Sequence, residues 1–264
     1  MKQLDGEWAL ILGSSSGFGA AAARVLAGMG MNIAGVHFDR KSDMDRVNKL
    51  IEELEELGAE VEFFNSNAAK ERTRDKVREE LEAKVDKNTT VRVLMHSLAF
   101  GTLKKFVNGG DDDLVEPRQM DMTLDVMASS LVYWTQELVE NNLMRSGGRI
   151  FAMTSAGGST VWPYYGPVSA AKAALEANVR QLAYELGDKE ITANAIQAGV
   201  TDTPALRKIP GNENMISEAK KRNPSGRLTE PEDVGDLIGL LVRPESRFVT
   251  GNVICCDGGE DIVS

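Results

Sequence analysis

The chain is poor in cysteine and histidine and has no long apolar run. Its two cysteines, Cys255 and Cys256, are adjacent, so a framework of structural disulfides is excluded and a reduced, buried strand is the simpler interpretation. With only two histidines, we expect no metal site. No apolar run approaches the roughly 18 residues that span a bilayer, and the N-terminus becomes glycine-rich before a signal-peptide core is complete. We therefore expect a cytoplasmic protein that does not contact membranes.

Positive charge is also in deficit. The 30 lysines and arginines are outnumbered by 40 aspartates and glutamates, which gives a formal net charge of −10 at pH 7. A surface of that sign repels nucleic acid phosphates and anionic lipids. The composition therefore predicts no nucleic acid partner and favours chemistry on a small molecule.

Short apolar runs alternate with stretches of helical periodicity along the chain. This alternation is typical of βαβ units, which form a parallel sheet with helices on both faces. The sequence predicts a single α/β domain over residues 1–264, a Rossmann-type doubly wound fold. One helical stripe consists of Val47, Leu50, Ile51, Leu54 and Leu57, with Gly58 as a stop. The strands are expected at 8–12, 32–38, 60–64, 91–95, 149–153, 192–196 and 252–256.

A glycine-rich run follows the first expected strand and directly precedes a helical stretch. Glycines in that place allow a tight turn and a close approach of a pyrophosphate to backbone N–H groups at a helix N-terminus. A glycine-serine turn alone is the simpler alternative, but the order strand, glycines, helix favours a dinucleotide site. The run is Gly13, Ser14, Ser15, Ser16, Gly17, Phe18 and Gly19.

The stretch "PYYGPVSAAK" combines two tyrosines with a lysine. Tyr165 lies seven positions before Lys172, and Val168 lies four before it. Pro167 suits the first turn of a helix, so Tyr165 is expected to enter from the preceding loop and Lys172 from the helix itself. A nearby ammonium group favours the phenolate, and we expect it to lower the pKa of the tyrosine. Tyr164 is expected to pack beside the pocket, bind substrate or anchor the loop.

These motifs resemble the short-chain dehydrogenase/reductase family over nearly the whole chain. Its commonest members place their tyrosine four residues before the lysine, where this chain has Val168. The bacterial enoyl-acyl carrier protein reductases of that family use a spacing of seven, which Tyr165 and Lys172 match. Further similarities to this subset are "HSLAF", "KAALEANVRQLA", "NAIQAG", "EDVGDLIGLL" and "GNVICCDGG".

The resemblance implies roles for particular residues. Lys172 would also hold the ribose hydroxyls of the cofactor, and Met127 stands where many members carry an asparagine that relays protons. Ser155 replaces a second tyrosine, as in a divergent branch of these reductases, and a serine there is also the carbonyl-binding residue of the ketone-reducing members. The remaining cofactor-binding residues implied are Asn67, Ala68, His96, Ser97, Leu98, Gly199, Val200, Thr201 and Thr203. The alternative for His96 is an ordinary buried histidine.

The end of the second strand bears on the choice of cofactor. Enzymes that select NAD commonly have an acidic residue there, whereas a nearby arginine accommodates the 2′-phosphate of NADP. By position His37 takes the usual acidic place, and Asp39, Arg40 and Lys41 follow. We therefore expect Arg40 and Lys41 to favour NADPH over NADH. The alternative is that both are solvated loop charges.

The longest interruption of the fold pattern is the segment 200–226, which we expect to be a substrate lid. Its apolar residues would cover an acyl chain, and its cations would guide an acidic acyl carrier protein or simply keep a short helix solvated. The apolar set is Ala205, Leu206, Ile209, Met215 and Ile216. The cations of the segment are Arg207, Lys208, Lys220, Lys221 and Arg222, and two more, Lys104 and Lys105, follow the fourth strand.

The resemblance implies an enoyl-acyl carrier protein reductase of fatty acid synthesis, with Tyr165, Lys172 and Ser155 as catalytic residues. It would transfer hydride to the β-carbon of a trans-2-enoyl thioester. Two alternatives stay open: an NADPH-dependent carbonyl or 3-ketoacyl reductase of the same family, and a cofactor-binding regulatory protein without turnover. By the same resemblance we expect a homotetramer or homodimer through helices at 121–143 and 166–186.

Overall fold

A computed structural model describes residues 4–107, 110 and 114–263. One parallel sheet of seven strands forms its centre, with the strand order β3-β2-β1-β4-β5-β6-β7. The strands are β1 (Trp8–Leu12), β2 (Asn32–His37), β3 (Val61–Asn65), β4 (Val91–His96), β5 (Arg149–Thr154), β6 (Thr192–Ala198) and β7 (Val253–Cys256).

Helices connect successive strands. They are α1 (Gly17–Gly28), α2 (Met44–Glu56), α3 (Glu71–Lys84), α4 (Pro117–Leu124), α5 (Ser130–Glu140), α6 (Gly166–Glu185), α7 (Asn212–Arg222) and α8 (Pro231–Leu241). A short π-helical turn, Asp125–Ser129, joins α4 to α5. Such turns interrupt regular helical hydrogen bonding and are frequent near functional sites.

The core has two halves because side chains of a strand point alternately to opposite faces of the sheet. On one face, residues such as Leu10 and Ile150 pack against α3, α5 and α6 through side chains that include Trp134. On the other face, Ile11 and Phe151 pack against α1, α2 and α8. The doubly wound, Rossmann-type class predicted from the sequence is therefore confirmed.

All seven expected strands are present, with ends that differ from the prediction by at most two residues. The expected stripe of α2 is correct for Val47, Leu50 and Leu54, which are buried. Its last member is wrong: Leu57 caps the helix and is 46% exposed. The helix ends before its apolar face completes another turn, and Gly58 follows with a φ of +91°.

The segment 200–226, called the lid segment below, contains no strand, as expected. It consists of a short 3₁₀ turn, Leu206–Lys208, followed by α7. It leaves the sheet at the carboxyl end of β6, the edge at which ligands of open α/β sheets bind.

Within the described ranges, no helix is long and apolar enough to cross a membrane. The same residues contain no group of three or more histidine, cysteine, aspartate and glutamate side chains that could hold a metal ion.

Candidate functional site

A cavity of about 290 Å³ opens at the carboxyl edge of the sheet. The segments that follow β1, β4, β5 and β6 all contribute to its wall, together with the lid segment. The sequence-predicted site residues that line it are Phe18, Ser97, Leu98, Ser155, Tyr165, Lys172, Gly199, Val200, Thr201, Thr203, Ala205 and Leu206. Residues from distant parts of the sequence thus form one site.

The glycine-rich loop between β1 and α1 has the geometry that a dinucleotide requires. Gly13 has a φ of +88°, and a Cβ there would lie 2.4 Å from the carbonyl oxygen of Ser97. A Cβ on Gly19 would lie 2.1 Å from the carbonyl oxygen of Gly13. Ser14 is fully buried, and its hydroxyl has no hydrogen-bond partner among the residues that the structure describes. Because α1 begins directly beyond this close backbone packing, the residues fit a pyrophosphate at a helix N-terminus.

The end of β2 forms a charged cluster beside this loop. Asp39 lies 2.9 Å from Nδ1 of His37 through one oxygen and 2.9 Å from Nη2 of Arg46 through the other. Arg46 also donates to the carbonyl oxygen of Ser15 at 2.9 Å. Burial alone would raise the pKa of Asp39, but hydrogen bonds to Ser15 and His37 outweigh it and the pKa is lowered. Arg46 lies inside α2, and no pattern in the sequence predicts its place in this cluster.

The expected cofactor residues at the end of β2 and β3 do not line the main cavity. Arg40 is exposed. The side-chain oxygen of Asn67 accepts the N–H of Ala69 at 2.9 Å, and the carbonyl oxygen of Ala68 accepts the indole N–H of Trp134 at 2.9 Å. Asn67 and Ala68 therefore shape the turn that follows β3.

Lys41 is exposed as well, and it begins a 3₁₀ turn that leads into α2. Asn65, which the sequence analysis also missed, donates to the carbonyl oxygen of Asp39 at 3.1 Å. It thereby fixes the ends of β2 and β3 to each other.

His96 ends β4 but its side chain lies inside the protein. The residue is fully buried, and its Nε2 lies 2.8 Å from Oγ of Ser130. Burial lowers its pKa to about 3, so it is neutral near pH 7. His96 does not line the cavity, whereas the next residues, Ser97 and Leu98, do.

Tyr165 and Lys172 both lie near the N-terminus of α6. Tyr165 is the residue before α6, and Pro167 lies in its first turn, as expected. Lys172 lies two turns further along, is 5% exposed, and donates through Nζ to the carbonyl oxygen of Met153 at 2.6 Å. Both side chains line the same cavity.

The prediction that the ammonium group of Lys172 lowers the pKa of Tyr165 is wrong. Burial raises the pKa of Tyr165, and a hydrogen bond with Ser155 offsets part of that rise. The two hydroxyl oxygens lie 3.3 Å apart. Because Lys172 is directed to the carbonyl oxygen of Met153, desolvation dominates. Tyr165 is therefore protonated near neutral pH and available as a donor.

The pKa of Lys172 is also shifted. Burial lowers its pKa to about 8, and the carboxylate of Glu176 works against that effect. Glu176 follows one helical turn later, and its Oε1 accepts a hydrogen bond from Oγ1 of Thr154 at 2.6 Å. Residues four apart on a helix are neighbours. The spacing of four between Lys172 and Glu176 was therefore a signal in the sequence for this contact, although Glu176 was not among the predicted residues.

Tyr164 does not line the cavity, in contrast to the expectation that it binds substrate. It adopts a φ of +64°, and the ammonium group of Lys105 lies 5.3 Å from its ring centroid. Tyr165, its neighbour in the sequence, does line the cavity. Met127 does line the cavity, from the π-helical turn.

The lid segment contributes the apolar wall of the cavity. Of its expected residues, Ala205, Leu206, Ile209 and Met215 line the cavity and Ile216 does not. Phe100, within the segment "HSLAF", also lines the cavity, as do residues that were not predicted from the sequence, which include Trp162, Leu103, Glu260 and Asp261. Glu260 could have been identified from the sequence, because it is an acidic residue beyond the carboxyl end of the last strand, the edge at which ligands bind.

Comparison with known proteins agrees with this arrangement. A family model described as enoyl-(acyl carrier protein) reductase matches residues 13–260. The chain is 29% identical to the enoyl-[acyl-carrier-protein] reductase [NADH] of Nostoc sp., with 100% of this chain and 99% of that protein covered. It is 28% identical to the 3-oxoacyl-[acyl-carrier-protein] reductase of Thermotoga maritima, with 97% and 98% covered.

A solved structure has the same architecture. The crystal structure of enoyl-[acyl-carrier-protein] reductase (NADH) from Aquifex aeolicus matches with a TM-score of 0.84 and 27% identity, covering 99% of this chain and 98% of that one. Together with the family match over residues 13–260, this shows that the chain belongs to the short-chain dehydrogenase/reductase family, in its enoyl-acyl carrier protein reductase type, whose members are NAD(P)H-dependent oxidoreductases.

Proposed function

We propose that this protein is an enoyl-acyl carrier protein reductase that saturates the trans-2 double bond of an enoyl thioester in fatty acid synthesis. The observation that carries the proposal is the placement of a protonated, largely buried Tyr165 in one cavity with Lys172 and the apolar wall of the lid segment. An apolar cavity with few polar groups suits an acyl chain with one reacting end.

Tyr165 has the central part in the reaction. A reduced nicotinamide cofactor, when bound, would supply the hydride that adds to the β-carbon of the substrate. Addition there places negative charge on the thioester oxygen, and the hydroxyl of Tyr165 stabilises that oxygen as an enolate by donating to it. The α-carbon then takes up a proton from solvent, which completes the saturated thioester. Because Tyr165 keeps its proton at neutral pH, it can act as this donor without prior activation.

Lys172 and the glycine-rich loop hold the cofactor in this proposal. The ammonium group offers donors to ribose hydroxyls, and the carbonyl oxygen of Met153 fixes its position. The partly exposed loop from Gly13 to Gly19 receives the pyrophosphate. The residues Thr201 and Thr203, opposite that loop, bind the nicotinamide side.

Steady-state kinetics test the substrate class. We expect consumption of the reduced cofactor with a short trans-2-enoyl thioester, and a kcat/KM at least about tenfold lower with the matching 3-ketoacyl thioester. A higher kcat/KM with the 3-ketoacyl substrate would assign the protein to the ketone-reducing members instead.

A 3-ketoacyl or other carbonyl reductase is the second candidate. The hydroxyl of Ser155 lies 3.3 Å from that of Tyr165, and two hydroxyls at this distance can donate together to one carbonyl oxygen. The full-length similarity to the Thermotoga maritima protein also favours it. Ser155→Ala tests this candidate: a loss with the 3-ketoacyl thioester that is much larger than any loss with the enoyl thioester would favour the ketone-reducing reaction.

We propose NADPH as the preferred cofactor. Both oxygens of Asp39 already face protein groups, His37 and Arg46, and Arg40 and Lys41 are exposed at the same strand end. A 2′-phosphate near these cations would gain charge-assisted hydrogen bonds. The names of the Nostoc and Aquifex relatives give NADH, so a preference for NADPH would distinguish this chain from them.

For the cofactor, we expect Arg40→Ala to lower kcat/KM for NADPH by about tenfold and to leave the value for NADH unchanged. Lys49→Ala, at an exposed position of α2, is the control for a general loss of positive charge. The proposal is wrong if the unaltered protein prefers NADH, or if Arg40→Ala has no effect on NADPH.

The lid segment is proposed to close over the acyl chain and to dock the acyl carrier protein. Acyl carrier proteins are acidic, and the net charge of −10 opposes their approach unless cations are concentrated near the cavity. Lys208 lines the cavity and is exposed, and Lys220 and Lys221 are exposed on α7. Arg207 pairs with Asp202 and Lys221 pairs with Glu218, each at 2.7 Å, which weakens the contribution of both cations.

We expect Lys220→Glu combined with Lys221→Glu to raise KM about tenfold for an enoyl group carried by acyl carrier protein, with a larger effect at low ionic strength. The same enoyl group on a small thiol should be unaffected. Lys49→Glu with Lys189→Glu makes the same charge change at exposed positions outside the lid segment. Equal effects of both pairs, or on both substrates, would rule out docking at α7.

We also propose that the protein is cytoplasmic and forms a homotetramer or homodimer through α4, α5 and α6. These helices leave large side chains exposed, among them Tyr133 at 38% and Tyr184 at 84%. Light scattering coupled to gel filtration tests the assembly: a monomer at micromolar concentration would contradict it.

A further inference from the structure

A buried carboxylate lies where both ends of the lid segment meet the C-terminal turn. Glu260 is 2% exposed and begins the short turn Glu260–Ile262 beyond β7. Its Oε2 accepts the N–H of Val200 at 3.1 Å, and its Oε1 lies 3.3 Å from Nη2 of Arg222. Val200 begins the lid segment and Arg222 ends α7. One side chain therefore contacts the segment at both ends.

Neighbouring contacts hold the same junction. Asn223, which is 4% exposed, donates through Nδ2 to the carbonyl oxygen of Asp257 at 2.8 Å. A Cβ on Gly199 would lie 2.8 Å from Oε2 of Glu260, so the backbone before Val200 packs directly on the carboxylate. The base of the lid segment is thus tied to the chain end by buried polar contacts.

The part of the lid segment between these ends has weaker attachments. In α7 the only buried residue is Ala219. Arg207 and Lys221 each pair with a neighbour inside the segment, Asp202 and Glu218, and these exposed pairs contribute little. An ion pair with a buried partner behaves differently, because removing one group leaves the other charge buried and uncompensated. The contacts of Glu260, together with that of Asn223, are therefore the buried polar contacts that attach the ends of the segment.

We propose that Glu260 is a positioning residue that fastens both ends of the lid segment to the C-terminal turn. It thereby keeps the stretch 205–216 over the cavity and the backbone of 199–203 beside the nicotinamide position. This inference rests on the proposed function for its effect on acyl substrates. The attachment of the lid segment itself is measurable without substrate or cofactor.

Limited trypsin digestion tests the attachment, because Arg207, Lys208 and Lys220 are exposed cleavage sites within the lid segment. We expect Glu260→Gln and Arg222→Gln to speed the first cleavage in the segment by about tenfold to a hundredfold, since cleavage follows the population of the opened state. Mass spectrometry of early fragments locates the cut.

The matched control is Glu218→Gln, which breaks the exposed pair with Lys221 on the same helix and is expected to leave the cleavage rate unchanged. The double variant Glu260→Gln/Arg222→Gln is expected to be cleaved no faster than the faster single variant, because both changes remove one interaction. For an enoyl thioester, KM should rise severalfold in Glu260→Gln while kcat changes less.

Unaltered cleavage of the lid segment in both single variants would overturn the proposal, whatever the activity of the protein. If Glu260→Gln unfolds the protein, cleavage spreads along the whole chain and the melting temperature falls. The result then depends on Arg222→Gln, whose side chain is 33% exposed. Failure of the enoyl reductase assay would leave the digestion result intact, so the two proposals can fail separately.

Discussion

Replacement of Tyr165 by phenylalanine is expected to reduce kcat with an enoyl thioester by about 100-fold or more. The change removes the hydroxyl that donates to the developing enolate and leaves the ring in place. Cofactor affinity should stay within about twofold, because the hydroxyl acts on the charge of the substrate. Turnover assays and a fluorescence titration with the reduced cofactor measure the two effects separately.

Tyr164→Phe is the matched control for this prediction. Its ring lies against Lys105 and outside the cavity wall, so activity is expected to persist. An inactive Tyr164→Phe beside an active Tyr165→Phe would show that the two tyrosines have the opposite roles. The same titration would then reveal whether the loop before α6 had changed cofactor binding.

Replacement of Lys172 by alanine is expected to damage cofactor binding and turnover together. The ammonium group is buried, and it is held at the cavity wall by the carbonyl oxygen of Met153. Losing a charged donor in such a place typically weakens binding by about tenfold to a hundredfold. A normal cofactor affinity in Lys172→Ala would contradict the role given to this lysine.

The pH dependence of cofactor binding provides a second measurement on Lys172. Its pKa is lowered to about 8, mainly by burial. The group is therefore charged below pH 8 and loses its proton as the pH rises through that value. We expect the affinity for NADH, which carries no titrating 2′-phosphate, to be constant at pH 6–7 and to fall above pH 8, without a matching fall in Lys172→Ala. His96 does not titrate in this range, because its pKa is about 3.

The fold was predictable because its signals are local. Each strand is a short apolar run, and the glycines between β1 and α1 mark a turn that only small residues allow, as the contacts of Gly13 show. The spacing of Tyr165 and Lys172 identified two residues that share a cavity. Pro167 located the start of α6 correctly. These features depend on neighbours in the sequence or on steric limits of the backbone.

The environment of the site was less predictable because it depends on burial and on distant partners. The expected pKa shift of Tyr165 had the wrong direction, since the rise caused by burial exceeds the lowering by the hydrogen bond with Ser155. Tyr164 differs from Tyr165 through a left-handed φ. The contact of Glu260 with Val200 joins residues that are 60 positions apart. A pattern read along one strand or helix contains no information on such pairs.

The position of the transferred hydrogen in the product shows directly whether the protein reduces the double bond of an enoyl thioester. The protein is incubated with a trans-2-enoyl thioester and a reduced cofactor that carries deuterium at the transferred position, and the acyl product is analysed by NMR and mass spectrometry. The account predicts a saturated acyl thioester with one deuterium on its β-carbon, and loss of this product in Tyr165→Phe. An unchanged enoyl thioester, together with a 3-hydroxyacyl product labelled at its carbinol carbon when the 3-ketoacyl thioester is supplied, would contradict it.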